Sequence, residues 1–77
     1  MHKDLWSARR RHGKTQEDVA KCLGISSKQY GEKERGKASF TLEEAEKISI
    51  FMNTPITEIF PEYFFTQDVP KMHEISS

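Results

Sequence analysis

Apolar positions recur along the chain at helical spacing, and glycines and short polar residues of the kind that start helices divide them into five runs. Asp4 to His12 predicts a first helix with Leu5 and Ala8 on one face, ended by Gly13, which can take the left-handed conformation other residues avoid. Thr15 is a good N-cap for a second helix, Asp18 three residues on approximates a capping box, and Val19, Ala20 and Leu23 form its apolar stripe before Gly24. The punctuation Gly24-Ile25-Ser26 leaves one apolar residue between a C-cap glycine and a new N-cap serine. A third helix therefore starts at once, with Tyr30 inward and Gly36 closing it.

Beyond the loop Lys37-Ala38-Ser39-Phe40, the run Thr41-Leu42-Glu43-Glu44 is a full capping box with an apolar residue before it as a staple. The helix it starts should bury Leu42, Ala45, Ile48, Ser49 and Met52. Thr54-Pro55 is expected to cap a short fifth helix that buries Ile56, Ile59 and Phe60 and stops at Pro61. The expectation is an all-α, compact five-helix domain over residues 1–61 with a short extended tail over 62–77. In that tail Tyr63, Phe64 and Phe65 are aromatic and β-prone, with no helical period. Such a segment is either an edge strand that meets a second chain or a strap on its own domain.

Composition narrows the function more than the fold. Seventy-seven residues suffice for one domain, and the single Cys22 allows no intrachain disulfide. No apolar run approaches the roughly 18 residues of a membrane span, so the expectation is a cytoplasmic protein without a membrane partner. His2, His12 and His73 share no ligand spacing with Cys22, so neither a metal nor a cofactor is expected. Ser7, Ser26 and Ser27 have no histidine and carboxylate in a recognisable motif, and no glycine-rich phosphate loop exists. No enzyme is indicated.

Lysines and arginines number 12 and acidic residues 12, a balance that taken as a whole argues against a partner as acidic as DNA. The zero is a cancellation: residues 1–37 carry a formal charge of +5 and residues 38–77 carry −5. A basic front half over the second and third helices fits nucleic acid on that side, with the acidic rear turned away.

The stretch Thr15-Gln16-Glu17-Asp18-Val19-Ala20-Lys21-Cys22-Leu23-Gly24-Ile25-Ser26, with Tyr30 and Glu34-Arg35-Gly36-Lys37, resembles the helix-turn-helix of the lambda-repressor-like, or Cro/C1-type (XRE), domains. The resemblance extends from Leu5 to Phe60. It implies five packed helices with the third in the DNA major groove, and dimers on paired half-sites, mostly as transcriptional regulators of bacteria, phages and mobile elements. It further implies that Gln16 holds the DNA backbone at the start of helix two, and that Arg9 and Glu34 form an ion pair between helices one and three.

Geometry from the residues points the same way. Two helices joined so tightly cross steeply and leave a face able to enter a groove about 12 Å wide. At 100° per residue Tyr30 and Glu34 share one side of helix three, while Lys28, Glu32 and Arg35 lie nearly opposite. Lys28 can reach guanine O6 and N7, and Gln29 can pair with adenine or with a phosphate. Ser27 can donate or accept, and Glu32 can accept from cytosine N4 or repel phosphate, so Ser27, Lys28, Gln29 and Glu32 are the candidate base readers. Gln16, Ser26, Arg35 and Lys37 are the candidate phosphate contacts, with Arg35 and Lys37 flanking the side away from Gln16. The plainer reading is that Lys28 and Glu32, four apart, only pair on a solvated face, worth roughly 0.2–0.5 kcal/mol.

Three residues depart from the family pattern. Lys14 and Lys33 stand where an apolar side chain is common, and Gly31 interrupts the reading helix at a cost of about 0.5–1 kcal/mol relative to Ala. Gly31 suggests close approach to the DNA backbone. The leading expectation is thus a dimeric, sequence-specific repressor or regulator of the phage type on double-stranded DNA. The alternative is an antitoxin or co-regulator whose tail, through Tyr63, Phe64 and Phe65, binds a different protein.

Overall fold

Among the described residues, three of the five α-helices begin on reciprocal capping boxes. The computed structural model describes residues 1–63. Thr15, Ser26 and Thr41 are the N-caps of α2 (Gln16–Leu23), α3 (Ser27–Glu34) and α4 (Leu42–Phe51). Each cap hydroxyl accepts from the third helical N–H, and the side chain of that third residue accepts from the cap N–H. The partner in α3 is Gln29, an amide in a place more often filled by Glu, and its use there is not evident from spacing alone. Before them lies α1 (Lys3–Arg11), and after them α5 (Ile56–Ile59) and a single 3₁₀ turn at Pro61–Tyr63. Gly24 ends α2 at φ 75°, a left-handed conformation that costs a side-chain-bearing residue about 1 kcal/mol or more.

The core is one cluster drawn from every helix: Leu5, Ala8, Val19, Ala20, Tyr30, Phe40, Ala45, Ile48, Met52, Ile59 and Phe60. Helix α2 packs on α3 and α4, and α5 packs on α1 and α4. Phe40, between α3 and α4, fills the centre with its ring 5.2 Å from Phe60 and 6.0 Å from Tyr30. Burying each large aliphatic or aromatic side chain contributes roughly 1.5–3 kcal/mol.

Three expectations need correction. Leu42 is 61% exposed, because among the described residues no element covers its side of α4, and the buried residues of that stripe are Ala45, Ile48 and Met52. Thr54 does not cap α5: its hydroxyl donates to the Met52 carbonyl and meets His12 Nε2, while Pro55 is the N-cap. Glu62 and Tyr63, expected in the extended tail, belong to the 3₁₀ turn. Tyr63 stacks on Phe60 at 5.4 Å, and Glu62 pairs with the His2 imidazole, which meets the rings of Phe40, Phe60 and Tyr63 edge-on. Tyr63 thus packs on its own domain in the manner of a strap. Phe64 and Phe65 lie outside the described residues.

The two unexpected lysines have apolar seats. Lys14 sits 5.0 Å over the Phe51 ring, and Lys33 sits 5.8 Å over Phe40 while donating to the Ser39 carbonyl and pairing with Glu44 at 3.3 Å. The Lys33 stem covers the core residue Phe40 while its ammonium reaches polar partners, whereas Lys14 lies over the exposed Phe51 ring.

Candidate nucleic-acid interface

The loop after α2 is so short that Ile25 alone separates its C-cap glycine from the cap of α3. Ile25 packs against the core, which fixes α3 on α2, and the first turn of α3 is left facing solvent. Ser27, Lys28 and Gln29 are all exposed there, and Glu32 is half-buried one turn on. Among the described residues Lys28 pairs with no carboxylate, so its ammonium is available to an acceptor outside the protein.

Gln29 has divided duties. Its Oε1 accepts from the Ser26 N–H at 3.0 Å, leaving the side-chain NH₂ as the group presented outward. In this arrangement the free NH₂ is of the kind that can donate to a purine N7 or a phosphate, and two-point pairing with adenine would require its carbonyl to be shared with the cap. Ser26 Oγ accepts from the Gln29 N–H at 3.0 Å, which leaves its own proton to donate.

The other end of α3 is anchored by a buried carboxylate. Glu34, 2% exposed, receives four side-chain hydrogen bonds. Arg9 Nε donates at 2.8 Å and Nη2 at 3.3 Å, Tyr30 Oη at 2.8 Å, and Gln16 Nε2 at 2.9 Å. A further Arg9 donor reaches the Lys14 carbonyl, so one guanidinium ties α1, the α1–α2 loop and α3 together. Burial alone would raise the Glu34 carboxyl. The bonds from Arg9, Gln16 and Tyr30 with the Arg9 charge overcome it and hold the group below the usual carboxylate range. Burial likewise opposes the Arg9 charge, but Glu34 and the tyrosine raise its pKa above the ordinary value. Burial, then the neighbouring carboxylate, push the Tyr30 phenol up, so at neutral pH it stays a donor.

Gln16 is therefore turned partly inward, with one amide hydrogen on Glu34 and one left to give. Arg35 was expected on the far flank. The structure instead brings its guanidinium back over Gly31 towards Gln16. Lys37 is exposed two residues beyond. Gly31 is buried under these side chains, which leaves no room for the close DNA approach its sequence position suggests. Nor does all the acidic rear turn away from α3, since Glu44 at the start of α4 meets Lys33. Sequence reasoning missed the grouping of Gln16 with Arg35, and the only signal of it was the glycine four residues before the arginine.

Among the described residues no group of three or more His, Cys, Asp or Glu could hold a metal ion, and no helix is long and apolar enough to cross a membrane. What the fold and site define is a helix-turn-helix domain, two short helices at a tight turn with the second one's outer face open. The helix-turn-helix family model matches residues 7–59, well over half of the chain, and the chain belongs to that family, in its Cro/C1-type (XRE) branch of DNA-binding regulators. No curated protein and no solved structure gives a match.

Proposed function

We propose that this protein is a cytoplasmic transcriptional regulator that occupies an operator as a homodimer, with α3 of each copy in the major groove, and that it represses by occlusion. The observation that carries the reading is the contrast between the two ends of α3. Its C-terminal end is locked into the core by Glu34, while its N-terminal turn presents Ser27, Lys28 and Gln29 to solvent. A reading element must be open to the bases and rigid behind them, and α3 is both.

In this reading Lys28 donates to guanine O6 and N7, and the Gln29 amide donates to a purine N7. Ser27 adjusts to either, and Glu32 accepts from cytosine N4 at the edge of the contact or repels phosphate when the register is wrong. Gln16, Ser26, Arg35 and Lys37 hold backbone phosphates, with the first N–H groups of α2 that a helix start leaves free. The dimer follows from size. A helix of 8 residues is about 12 Å long and touches only a few base pairs, so a useful operator needs two copies about one helical turn apart.

Selection of bound duplexes from a random pool tests this directly. A palindromic sequence with half-site centres about 34 Å apart is the expected product. Recovery of no preferred sequence would dismiss the reading.

A further inference from the structure

Four glycines occur in the chain, and three of them have a conformational reason to be there. Gly13, Gly24 and Gly36 have φ of 66°, 75° and 90°, and a side chain at Gly13 or Gly24 would meet open space. Gly31 is the exception. It lies inside α3 with no positive φ, where glycine only weakens a helix. A Cβ placed on it would come within 3.3 Å of Arg35 Nη1 and 3.4 Å of Gln16 Oε1. What Gly31 provides is room above the helix.

The two groups that use this room are chemically matched to it. The Gln16 amide is oriented by Glu34, which takes its Nε2 donor, so its Oε1 is turned towards Gly31 and the arginine. A guanidinium, rich in donors, is the group that favours that side of the amide. Arg35 is exposed and, among the described residues, pairs with no carboxylate. Arg9, Glu34 and Gln16 are joined by hydrogen bonds, and the Arg35 guanidinium lies over Gly31 on the same side as the Gln16 amide without bonding to it, so the surface presents a free amide hydrogen and an unneutralised fork of N–H donors.

We propose that Gly31 is a positioning residue for a phosphate clamp: by lacking a side chain it seats the Arg35 guanidinium beside the Gln16 amide, so that both donate to one DNA phosphate. The inference rests on the DNA-binding reading above and adds to it the residue that joins the two donors. With a methyl group at 31, the Arg35 end, 3.3 Å away and the tip of an exposed side chain, moves aside without harm to the fold, while Gln16 at 3.4 Å is in ordinary contact and stays on Glu34. The guanidinium then leaves its seat and contributes to phosphate binding only as a diffuse charge.

The test is a double-mutant cycle of Gly31→Ala and Arg35→Ala, read by fluorescence anisotropy with a labelled mixed-sequence duplex of about 20 base pairs, enough for two half-sites, over a series of salt concentrations. Alone, Arg35→Ala should weaken binding about tenfold and reduce the slope of log K against log salt by about 0.9 per site lost. Gly31→Ala should weaken binding about fivefold to tenfold by the same counterion criterion. Its melting midpoint should nonetheless hold or rise by about 2–6 °C, because alanine is the better helix former. Adding Arg35→Ala to Gly31→Ala should then cost little more.

Unchanged affinity in Gly31→Ala, with Arg35→Ala costing the same in both backgrounds, would overturn the seat while leaving DNA binding intact. A fall in affinity that tracks a lower melting midpoint would also overturn it, as ordinary loss of helix. Wild-type protein that shows no salt-dependent binding would overturn the DNA reading itself and the seat with it.

Discussion

Arg9 in α1 and Glu34 at the end of α3, twenty-five residues apart, meet in the interior with Nε 2.8 Å from Oε2. The carboxylate is fully satisfied only because Tyr30 and Gln16 donate as well. Removing one partner of a buried ion pair typically costs about 3–5 kcal/mol, since the remaining charge stays desolvated. A domain of this size has total stability on the order of 4–12 kcal/mol. Glu34→Gln is therefore expected to lose a large part of it in urea unfolding. Tyr30→Phe, which deletes one hydrogen bond to a charged group, should cost about 1.5–3 kcal/mol. A Glu34→Gln variant as stable as the wild type would show that the pair contributes nothing net.

The same carboxylate sets an acid limit. Its folded pKa lies below its unfolded value, so its contribution to stability is complete above the ordinary carboxylate range and is lost as pH falls through the folded value. Asp18, held low by the Thr15 backbone and side chain, acts in the same direction at the start of α2. Melting midpoints taken from neutral pH down to about pH 3 should fall, and fall less steeply in Glu34→Gln. Parallel curves for the two proteins would place the acid sensitivity elsewhere.

Gln29 allows capping and reading to be separated. In Gln29→Glu a carboxylate oxygen can still accept the Ser26 N–H, and a negative charge suits the helix start, so thermal stability should hold or improve by about 0.3–1 kcal/mol. The outward amide donor is lost and an anion faces the DNA. Affinity for the selected duplex should drop at least about tenfold, a 1.4 kcal/mol effect. If stability fell and binding did not, Gln29 would be a cap alone.

Lys28 is expected to read and not merely to attract. Lys28→Met keeps the stem and removes the ammonium, and repeated selection should then show relaxed preference at one position per half-site, a loss of discrimination of about 1–3 kcal/mol. A uniform weakening across all sequences would make Lys28 a phosphate contact instead.

How much of this was readable in advance depends on the range of the interaction. The caps at Thr15, Ser26 and Thr41 and the left-handed Gly24 depend on neighbours within three or four residues, so they appear directly in the sequence. The inward face shared by Tyr30 and Glu34 follows from one turn of helix. Leu42 fails because periodicity marks a face without saying whether another element covers it. Lys33 looked like a flaw in an apolar pattern because pattern rules count it as polar, whereas its stem and charge lie over Phe40 beside Glu44. The nearness of Arg35 to Gln16 joins residues nineteen apart through a missing side chain, and no local rule marks that.

The central claim is that the open turn of α3 and the donors around it engage duplex DNA. The most direct measurement is binding of the wild-type protein to its selected duplex and to a scrambled duplex as salt is raised. A linear decline of log K with log salt, with a slope of about −3 to −5 for a dimer using its arginine and lysine contacts, and persistently tighter binding to the selected duplex, is the expected result. Affinity that stays flat with salt, or that does not distinguish the two duplexes, would contradict it.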